Sequence, residues 1–366
     1  MHRERRGAAL ILAIFTCTIL TVLAVSLVQI ARVELIVSRA SLDRLQTRYL
    51  AEAGFNLGRS LLMYEDEPDV DGPEDTWFTL QNEPELRLGD GWSKVAVIDA
   101  CSLININWAS ESMLANILGD PEAAAAVVAW REEGNRFSSI GELAQVAGLS
   151  RERLAEVAKF LTVESLERNA TASGEKRVNL NEVNPSNVVD QLGLTLQQAQ
   201  EIYSHRRDSP DGMLQYIGEL LPIVGRASFK SMVDRVTLAN SDNLSGKVNI
   251  NTAPREVLLA LPGMTPQVAD AIIAKRQEKG GAFKSVGELL DIPGISDDDF
   301  IALCDHVCTK SSTYIIESWA GLNDKPARLD LQGTVLRQRG PIAPLISGWR
   351  EAFRPVYIQL QQGSTK

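Results

Sequence analysis

The stretch that decides the fold is VNINTAPREVLLALPGMTPQVADAIIAKR, residues 248–276. After a short polar start it has two apolar helix patterns, which are joined at LPGM (Leu261–Met264). Glycine accepts backbone dihedrals that other residues resist, so it suits a tight turn between two helices. Val268, Ile272 and Ile273 recur at helical spacing and mark the buried face of the second helix. The stretch therefore predicts two helices packed across a hairpin.

This pattern occurs three times along the chain. Each copy has an Asn-rich opening, an apolar helix, an arginine and an IGEL or VGEL segment. The openings are ININ (Ile104–Asn107), VNLN (Val178–Asn181) and VNIN (Val248–Asn251), and the arginines are Arg131, Arg206 and Arg276. Polar linkers separate the copies at 166–177 and 239–247. The repeat predicts three helical units, at 103–165, 178–238 and 248–309.

The openings suggest a local structural role for their polar side chains. Asparagine side chains hydrogen-bond nearby backbone groups, so we expect those of VNIN to satisfy the backbone and cap the next helix. Thr252 is expected to help in this capping, and Pro254 to fit the first helical turn.

The N-terminal part of the chain predicts a membrane anchor. Residues Ala8–Ala31 carry no charge, and at about 1.5 Å per residue a helix of this length reaches roughly 35 Å, enough to cross a bilayer core. The basic stretch Arg3–Arg6 precedes it, which predicts a short cytoplasmic N-terminus. A secretory signal peptide is the alternative, but the apolar run continues into Arg32–Glu34 without a small-x-small cleavage site.

The junction RERRGAALILAIF (Arg3–Phe15) resembles a prepilin-peptidase site. The resemblance implies a cut after Gly7, which leaves an N-methylated Ala8. Most pilins and pseudopilins carry glutamate at the fifth mature position, where this chain has Leu12. A carboxylate in the membrane needs a neutralising partner, thought to be the amino terminus of a neighbouring subunit. A tip subunit has no use for it, and in this family the tip subunit lacks the glutamate.

The phrase RYLAEAG (Arg48–Gly54) is similar to the corresponding stretch of the type II secretion system minor pseudopilin K family, also called general secretion pathway protein K. VAVIDACSLININWAS (Val95–Ser110) is similar to that family's entry strand and first helical unit. The resemblance covers nearly the whole chain, and three helical units imply an enlarged head.

The resemblance implies an α+β fold. An N-terminal transmembrane and pilin-type helix would pack on an antiparallel sheet, and a large all-α domain of tandem helix-hairpin-helix (SAM-like) repeats would be inserted in it. The division is a leader at 1–7, a transmembrane helix at 8–31, a pilin-type helix with the first strands at 32–102, the three units given above, and C-terminal strands at 310–366.

The implied function is that of a minor pseudopilin at the tip of the type II secretion pseudopilus, aiding protein export across the outer membrane. The implied location is the inner membrane, with one span and a periplasmic C-terminal domain. The implied partners are other minor pseudopilins, the prepilin peptidase and the inner-membrane assembly platform, and also secreted cargo or the outer-membrane secretin. No enzyme is expected, because the chain has three histidines and no Walker loop, GxSxG or HExxH motif.

Two other functions remain open at this point. One is a membrane-tethered helix-hairpin-helix DNA-binding protein of the competence type, whose DNA contacts would come from Gly263, Lys275 and Arg276. The net charge of -10 makes nucleic acid an unlikely partner, because affinity for DNA comes largely from Lys and Arg that neutralise phosphates. The other is a minor pilin of a type IV pilus, which shares the leader.

The acidic loop EDEPDVDGPED (Glu65–Asp75) is a candidate calcium site. Its candidate ligands are Asp66, Asp69 and Asp71, since calcium prefers oxygen ligands and calcium binding is known in the family. The loop lacks the spacing of an EF-hand, and a solvated charge run is the alternative.

The chain has four cysteines, which do not make a disulfide framework. Cys17 lies in the apolar N-terminal run and Cys101 stands alone, so only Cys304 and Cys308 could meet each other. Two small buried side chains that do not pair are the favoured interpretation.

The sequence after residue 310 is typical of strands. Ser312–Leu322 and Ala327–Arg339 predict an antiparallel hairpin around the turn Asn323–Pro326, and Ile346–Phe353 predicts an edge strand. With Trp92–Asp99 these strands would form a sheet that covers the N-terminal helix.

The helix itself is expected to meet this sheet through an apolar stripe at helical spacing. The stripe consists of Leu42, Leu45, Tyr49, Ala53 and Leu57.

Overall fold

In the computed structural model, the described residues are 2–64, 70–323, 325 and 327–355. The α-helices in chain order are α1 (His2–Met63), α2 (Thr76–Thr79), α3 (Glu111–Leu118), α4 (Pro121–Glu132), α5 (Leu143–Val146), α6 (Arg151–Val157), α7 (Pro185–Leu192), α8 (Leu196–Asp208), α9 (Leu221–Met232), α10 (Arg255–Ala260), α11 (Pro266–Gln277) and α12 (Asp297–Leu303). The strands in chain order are β1 (Leu86–Leu88), β2 (Gly91–Asp99), β3 (Ile104–Asn105), β4 (Leu161–Thr162), β5 (Leu166–Arg168), β6 (Val178–Asn179), β7 (Val236–Thr237), β8 (Asn243–Ser245), β9 (Val248–Asn249), β10 (Val307–Cys308), β11 (Thr313–Leu322), β12 (Ala327–Leu336) and β13 (Leu345–Pro355).

Five strands form one antiparallel sheet in the order β1-β2-β11-β12-β13. The predicted hairpin of β11 and β12 and the predicted edge strand β13 are confirmed. Strands β2 and β11 are neighbours in the sheet although the chain between them holds residues 100–312, and Asp99 faces Tyr314 in their register. The fold is therefore α+β, with a helical insertion (residues 103–309) between two adjacent strands. We call α1 from Thr47 onward together with the five strands the sheet domain.

Helix α1 meets the sheet through a different face from the one predicted. Leu42, Leu45 and Tyr49 are 59%, 46% and 61% exposed, and Ala53 and Leu57 are only half-buried. The buried positions of this helix are Thr47, Ala51, Gly54, Phe55, Gly58 and Leu62. At about 100° per residue, this face lies roughly opposite the predicted stripe. The stripe prediction is therefore wrong.

Two glycines explain why this face is the one that packs. A Cβ atom at Gly54 would lie 2.3 Å from Ser93 Oγ and 2.4 Å from Ser318 Oγ, and one at Gly58 would lie 3.0 Å from Ile316 Cγ2. The helix backbone thus approaches the sheet more closely than any residue with a side chain permits. This close approach lets the large side chain of Phe55 reach the core of the sheet domain.

The three units of the helical insertion share one hydrophobic core. Buried apolar residues from Ile104 to Val307 form a single cluster, to which all three units contribute. In each unit the opening pairs in parallel with the unit's last strand, as β3 with β4, β6 with β7 and β9 with β10. The two linkers also pair, through β5 and β8 in antiparallel register. Each unit is therefore closed at its base, where its first and last residues meet.

The openings bind the same backbone groups in every unit. In the third unit, Asn251 Oδ1 accepts from Phe283 N at 2.7 Å, and Asn251 Nδ2 donates to Phe283 O at 2.9 Å. Arg276 Nη1 donates to Ile250 O at 2.8 Å. The equivalent contacts are Asn107 with Phe137, Asn181 with Leu214, Arg131 with Ile106, and Arg206 with Leu180. The expectation that the asparagines satisfy backbone groups is confirmed.

The expected cap of the following helix is wrong in detail. The N-cap of α10 is Pro254, and no side chain caps it. Thr252 Oγ1 instead donates to Asp99 Oδ2 at 2.6 Å. The threonine hydroxyl thus makes a charge-assisted hydrogen bond to a buried carboxylate, and this bond fixes its side chain where the sheet domain meets the helical insertion.

The second and third units are also joined by hydrogen bonds from backbone N–H groups of each unit to an aspartate of the other. The carboxylate of Asp305, in the third unit, accepts hydrogen bonds from Ile217 N and Gly218 N of the second unit's IGEL segment. Conversely, Asp234 Oδ1 of the second unit accepts from Val286 N of the third unit's VGEL segment at 3.3 Å. Residues at equivalent positions therefore join these two units reciprocally.

Candidate functional site

Helix α1 carries the predicted processing and tip residues. It includes Gly7, Ala8 and Leu12 in its first turns, and the Leu12 side chain is 64% exposed. The segment Leu10–Met63 is long and apolar enough to cross a membrane, by length and composition, and its most apolar window is unburied. A single helix with this much exposed apolar surface needs lipid or other helices around it.

The junction between the sheet domain and the helical insertion is built on one buried carboxylate, that of Asp99. It is 2% exposed and accepts hydrogen bonds from Cys101 N at 2.7 Å, Asn249 Nδ2 at 2.8 Å and Thr252 Oγ1 at 2.6 Å. Two of these donors belong to the third unit. The last residue of β2 therefore holds both the start of the insertion and its final unit.

Burial, and after it the nearby Asp71 carboxylate, raise the pKa of Asp99 to about 6, although hydrogen bonds from Thr252 and Asn249 act to lower it. The pKa of the group in the unfolded chain is near its ordinary 3.8. The folded protein thus binds this proton more tightly than the unfolded chain does. The contribution of Asp99 to stability is fully present below about pH 4 and is lost as the pH rises through about 6.

We expect Asp99→Asn to flatten the pH dependence of unfolding. A shift of about two pKa units corresponds to about 3 kcal/mol, so between pH 4 and pH 7 the native chain should lose about that much more free energy of unfolding than the variant. Denaturant unfolding of the detergent-solubilised chain, followed by tryptophan fluorescence at several pH values, measures the difference. Asp298→Asn, at an exposed aspartate, is the control for the lost charge. Equal slopes in native chain and Asp99→Asn would contradict the assignment.

Of the predicted calcium ligands, the structure describes Asp71 only; Asp66 and Asp69 lie outside the described residues. Asp71 is fully buried, and its Oδ1 lies 3.0 Å from Arg337 Nη1 and accepts from Tyr314 OH at 2.7 Å, while Ser311 N donates to its other oxygen. Both oxygens of Asp71 are thus already bound by protein groups. In the described part of the chain no three His, Cys, Asp or Glu side chains are grouped to hold a metal ion. Calcium at this loop stays a prediction.

The predicted DNA-binding residues are engaged within their own unit. Gly263 has a φ of +68°, and a Cβ there would lie 3.1 Å from Asp299 Cβ, so an acidic residue packs against the hairpin. Lys275 Nζ lies 2.9 Å from Glu288 Oε2. Arg276 is bound to the backbone of its own unit, and burial lowers the pKa of its guanidinium to about 10. These two cations therefore stabilise the third unit. A DNA interface would instead need them exposed and available to phosphates.

Cys304 and Cys308 are both buried and do not meet, so the favoured interpretation of two small buried side chains is confirmed. The expectation that Cys101 stands alone is wrong, because Cys308 pairs with Asn249, and Asn249 Nδ2 and Cys101 N both donate to the Asp99 carboxylate. Cys304 Sγ instead lies 3.8 Å from Ile301 O and 3.5 Å from Asp305 Oδ2. The reason that Cys304 and Cys308 do not meet is that α12 ends at Leu303, a 3-10 turn spans Cys304–His306 and the chain then enters β10, so the two residues do not lie one α-helical turn apart on a common face.

The residues that the sequence did not single out are Asp99, Cys101 and the two glycines of α1. One signal was available for the cysteines, because aligning the three unit ends places Cys308 where the other units have Thr162 and Thr237. For Gly54 and Gly58, the signal is their spacing of one helical turn, which permits close packing.

Comparison with known proteins gives matches to parts of the chain. A family described as helix-hairpin-helix motif matches residues 99–162 and 244–308, which contain the first and third units. ComE operon protein 1 of Bacillus subtilis (strain 168) is 29% identical over 116 residues, covering 31% of this chain and 54% of its own length. Photosystem II extrinsic protein U, chloroplastic, of Griffithsia japonica is 39% identical over 67 residues, covering 16% of this chain and 40% of its own length. The chain thus spans about half, or less, of these relatives.

Among solved structures, one chain of the GspK-GspI-GspJ complex from the enterotoxigenic Escherichia coli type 2 secretion system is similar in part. The match covers 86% of this chain and 99% of that chain, with a TM-score of 0.44 and 13% sequence identity.

Proposed function

We propose that this chain is a minor pseudopilin of a type II secretion system, located at the tip of the pseudopilus, where it aids protein export across the outer membrane. The observation that carries the proposal is the N-terminal segment. A basic stretch ends at Gly7, an uncharged helix follows, and Leu12 stands where most such subunits have glutamate. The architecture supports it, because α1 is exposed in its apolar first half and packs on an antiparallel sheet in its second half.

The exposed half of α1 is suited to moving from lipid into a helix bundle. Its large apolar side chains point outward on every side, from Leu10 at 63% exposure to Val37 at 58%. Lipid would cover them before assembly, and the helices of other minor pseudopilins afterwards. The exposed Leu42, Leu45 and Tyr49 extend this surface beyond the membrane. The residues that failed to pack on the sheet are thus accounted for as contacts with neighbouring subunits.

The helical insertion lies at the end of the sheet domain that is remote from the membrane. Along α1, Gly54 lies against Ser93 and Gly58 against Val97, so α1 and β2 run in the same direction. β2 ends at Asp99 and the insertion follows at residue 103, so it lies at the end of the sheet domain where the packed helix also ends. In a fibre whose helices start in the membrane, the helical insertion would cover the top of this subunit and block the addition of further subunits above it.

The proposed role is non-covalent and has no catalytic step. The chain would be held in the inner membrane by one span, with a short cytoplasmic N-terminus and a periplasmic C-terminal domain. It would meet the prepilin peptidase and the inner-membrane assembly platform before assembly, and secreted cargo or the outer-membrane secretin at the tip. A DNA-binding role has less support, because Lys275 and Arg276 are engaged inside their unit and the net charge is -10. A type IV minor pilin would share leader and helix, and the neighbouring genes would separate the two systems.

Leu12→Glu tests the tip position. If Leu12 ends the fibre, the ratio of this chain to the major subunit should fall as fibres lengthen, because each fibre holds one tip. A carboxylate at this position costs about 2.5 to 3.5 kcal/mol in a membrane unless a neighbouring amino terminus neutralises it. In the variant, the amino terminus of a further subunit can neutralise the new carboxylate, so subunits can be added beyond it. The variant should then occur along the whole fibre, and the ratio of this chain to the major subunit should not change with fibre length. Quantitative mass spectrometry of fibres of different lengths gives the ratio.

Leu20→Glu is the matched control. It places the same acid about two turns further along the exposed apolar helix, where no amino terminus of a neighbour would meet it. That variant should fail to enter fibres. If the native chain were found at a constant ratio in short and long fibres, the tip position would be wrong.

A further inference from the structure

Two cysteines lie where the chain enters and leaves the helical insertion. Cys101 lies in the short turn Ala100–Ser102, directly after β2. Cys308 is the last residue of β10, shortly before the chain returns to the sheet with β11 at Thr313. The two thiols therefore belong to the two chain segments that together form the neck between the sheet domain and the insertion.

The two cysteines are neighbours and are shielded from solvent, with Cys101 1% exposed and Cys308 2% exposed. Cys308 pairs with Asn249 in the register of β9 and β10, and Asn249 Nδ2 and Cys101 N both donate to the Asp99 carboxylate. Cys101 Sγ also donates to Leu166 O at 3.5 Å, in the first linker. The contact joins residues far apart in sequence, so it exists only when the insertion is folded.

The repeat shows that cysteine is a departure at this position. The equivalent residues of the first and second units are Thr162 and Thr237. Thr162 Oγ1 accepts from Glu164 N at 3.3 Å, and Thr237 Oγ1 accepts from Ala239 N at 3.2 Å, so both hydroxyls bind the turn that follows. A thiol accepts hydrogen bonds weakly and serves this turn poorly. The third unit, which the Asp99 carboxylate joins to the Cys101 turn, is thus the one that has a cysteine in place of the threonine.

We propose that Cys101 and Cys308 are joined by a disulfide that locks the neck of the helical insertion. The inference rests on the proposed function in one respect, namely the oxidising periplasm in which such bonds form and persist. The lock would keep the entry and exit of the insertion together when the tip is pushed against another surface.

The oxidation must occur while the chain folds, because both thiols are buried afterwards. One thiolate attacks the disulfide of a dithiol–disulfide oxidase and forms a mixed disulfide, releasing one oxidase thiolate. The second cysteine thiolate then attacks the mixed disulfide, forms the Cys101–Cys308 bond and displaces the other oxidase thiolate. The chain loses two electrons and two protons, and the oxidase is reduced to its dithiol.

A pair left unoxidised would be inert once folded. Burial raises the pKa of the Cys308 thiol well above its ordinary value. The neighbouring Cys308 thiol lowers the pKa of Cys101, but burial and the nearby Asp99 and Glu167 carboxylates outweigh it, so that pKa is raised too. Since the thiolate is the reactive form, the folded protein neither forms nor exchanges this bond readily.

The first test counts thiols in the full-length chain purified from membranes in detergent. The chain is unfolded without reductant, alkylated and weighed. We expect two alkylated cysteines, Cys17 and Cys304, and four after reduction. Peptide mapping should then find Cys101 linked to Cys308. Four alkylated cysteines without reduction would overturn the proposal.

The second test uses stability, with Cys308→Thr as the main variant because threonine is the residue of the other two units. A lost disulfide across so long a loop should lower Tm by about 10 °C. Cys101→Ala should cause the same loss, and the double variant no further loss, because each change breaks the same bond. Adding reductant to the native chain should also lower its Tm, because it breaks the same bond. Cys304→Ser is the control, and its Tm should fall by the same amount on adding reductant. Losses that add in the double variant would show packing without a bond and would overturn the proposal.

A third measurement separates this inference from the proposed location. The reduced full-length chain is refolded in detergent with oxidised and reduced glutathione at a periplasm-like ratio. Formation of the bond both there and in cells supports the proposal. If it forms in glutathione but the chain from cells has four free thiols, the proposal is overturned and the periplasmic location is in question. If it forms in neither, the geometry of the neck is wrong, and the proposed function stands.

Discussion

Gly54→Val is expected to move α1 away from the sheet and to lower the free energy of unfolding by about 4 kcal/mol. A Cβ at this position would lie 2.3 Å from Ser93 Oγ, 2.4 Å from Ser318 Oγ and 2.8 Å from Val95 Cγ2. The two serine hydroxyls are fully buried and hydrogen-bond each other across β2 and β11 at 3.3 Å, so moving either one breaks that bond inside the core. The helix must therefore shift away from the sheet.

Such a shift affects more than the substituted residue. Overpacking of a core costs about 1 to 3 kcal/mol or more, and moving the helix also withdraws Phe55 and Ala51 from the core of the sheet domain. We expect a loss of about 4 kcal/mol, against the 5 to 15 kcal/mol that typically stabilises a native domain. The denaturant midpoint of the detergent-solubilised chain, followed by tryptophan fluorescence, measures it.

Asn56→Val is the matched control for this prediction. It places the same β-branched side chain on the exposed side of the same helical turn, so it tests helix propensity without the sheet contact. We expect a change of less than about 1 kcal/mol. Similar losses from both variants would mean that Gly54 does not set the distance between helix and sheet.

The parts of the fold that the sequence predicted correctly rest on local patterns. The hairpin of β11 and β12 follows from alternating residues around turn residues, and both strands form with a shared register. The asparagine openings also follow from local chemistry, because Asn251 meets its backbone partner at Phe283 within one unit. These features need no knowledge of how distant parts of the chain meet.

The face of α1 could not be predicted from hydrophobic spacing. Hydrophobic spacing takes large apolar residues to mark the side that is buried in the domain, whereas under the proposed function this helix also contacts lipid and other subunits. Leu45 and Tyr49 face outward, while the contact with the sheet is made by Gly54 and Gly58. Where a helix must meet lipid or other subunits as well as its own domain, small residues can mark the tighter contact.

The neck was missed because its residues are distant in sequence. Asp99 binds Asn249 and Thr252, and Cys101 meets Cys308, across the whole insertion. Asp99 and Cys101 lie in the stretch Val95–Ser110, but the resemblance of that stretch to a family assigned neither of them a contact. The pairing of a strand end with the last unit depends on the complete fold, which no local pattern encodes.

Gly7→Leu is expected to abolish cleavage of the leader, residues 1–7, from the chain. Under the proposed function the peptidase cleaves after a residue without a side chain, at the boundary between the basic stretch and the apolar helix. A branched side chain there would be excluded from the cleavage site, so the precursor should accumulate in the membrane and protein export should stop. Ala24→Leu, a matched change within the apolar helix, should be cleaved and exported normally. Normal cleavage of Gly7→Leu would contradict the prediction.

The measurement that tests the pseudopilin assignment most directly is the intact mass of the native chain isolated from cell membranes. The account predicts a mature protein that begins at Ala8 and carries one methyl group on its amino terminus. A chain that still carries residues 1–7 in cells that mature their other pseudopilins would contradict it.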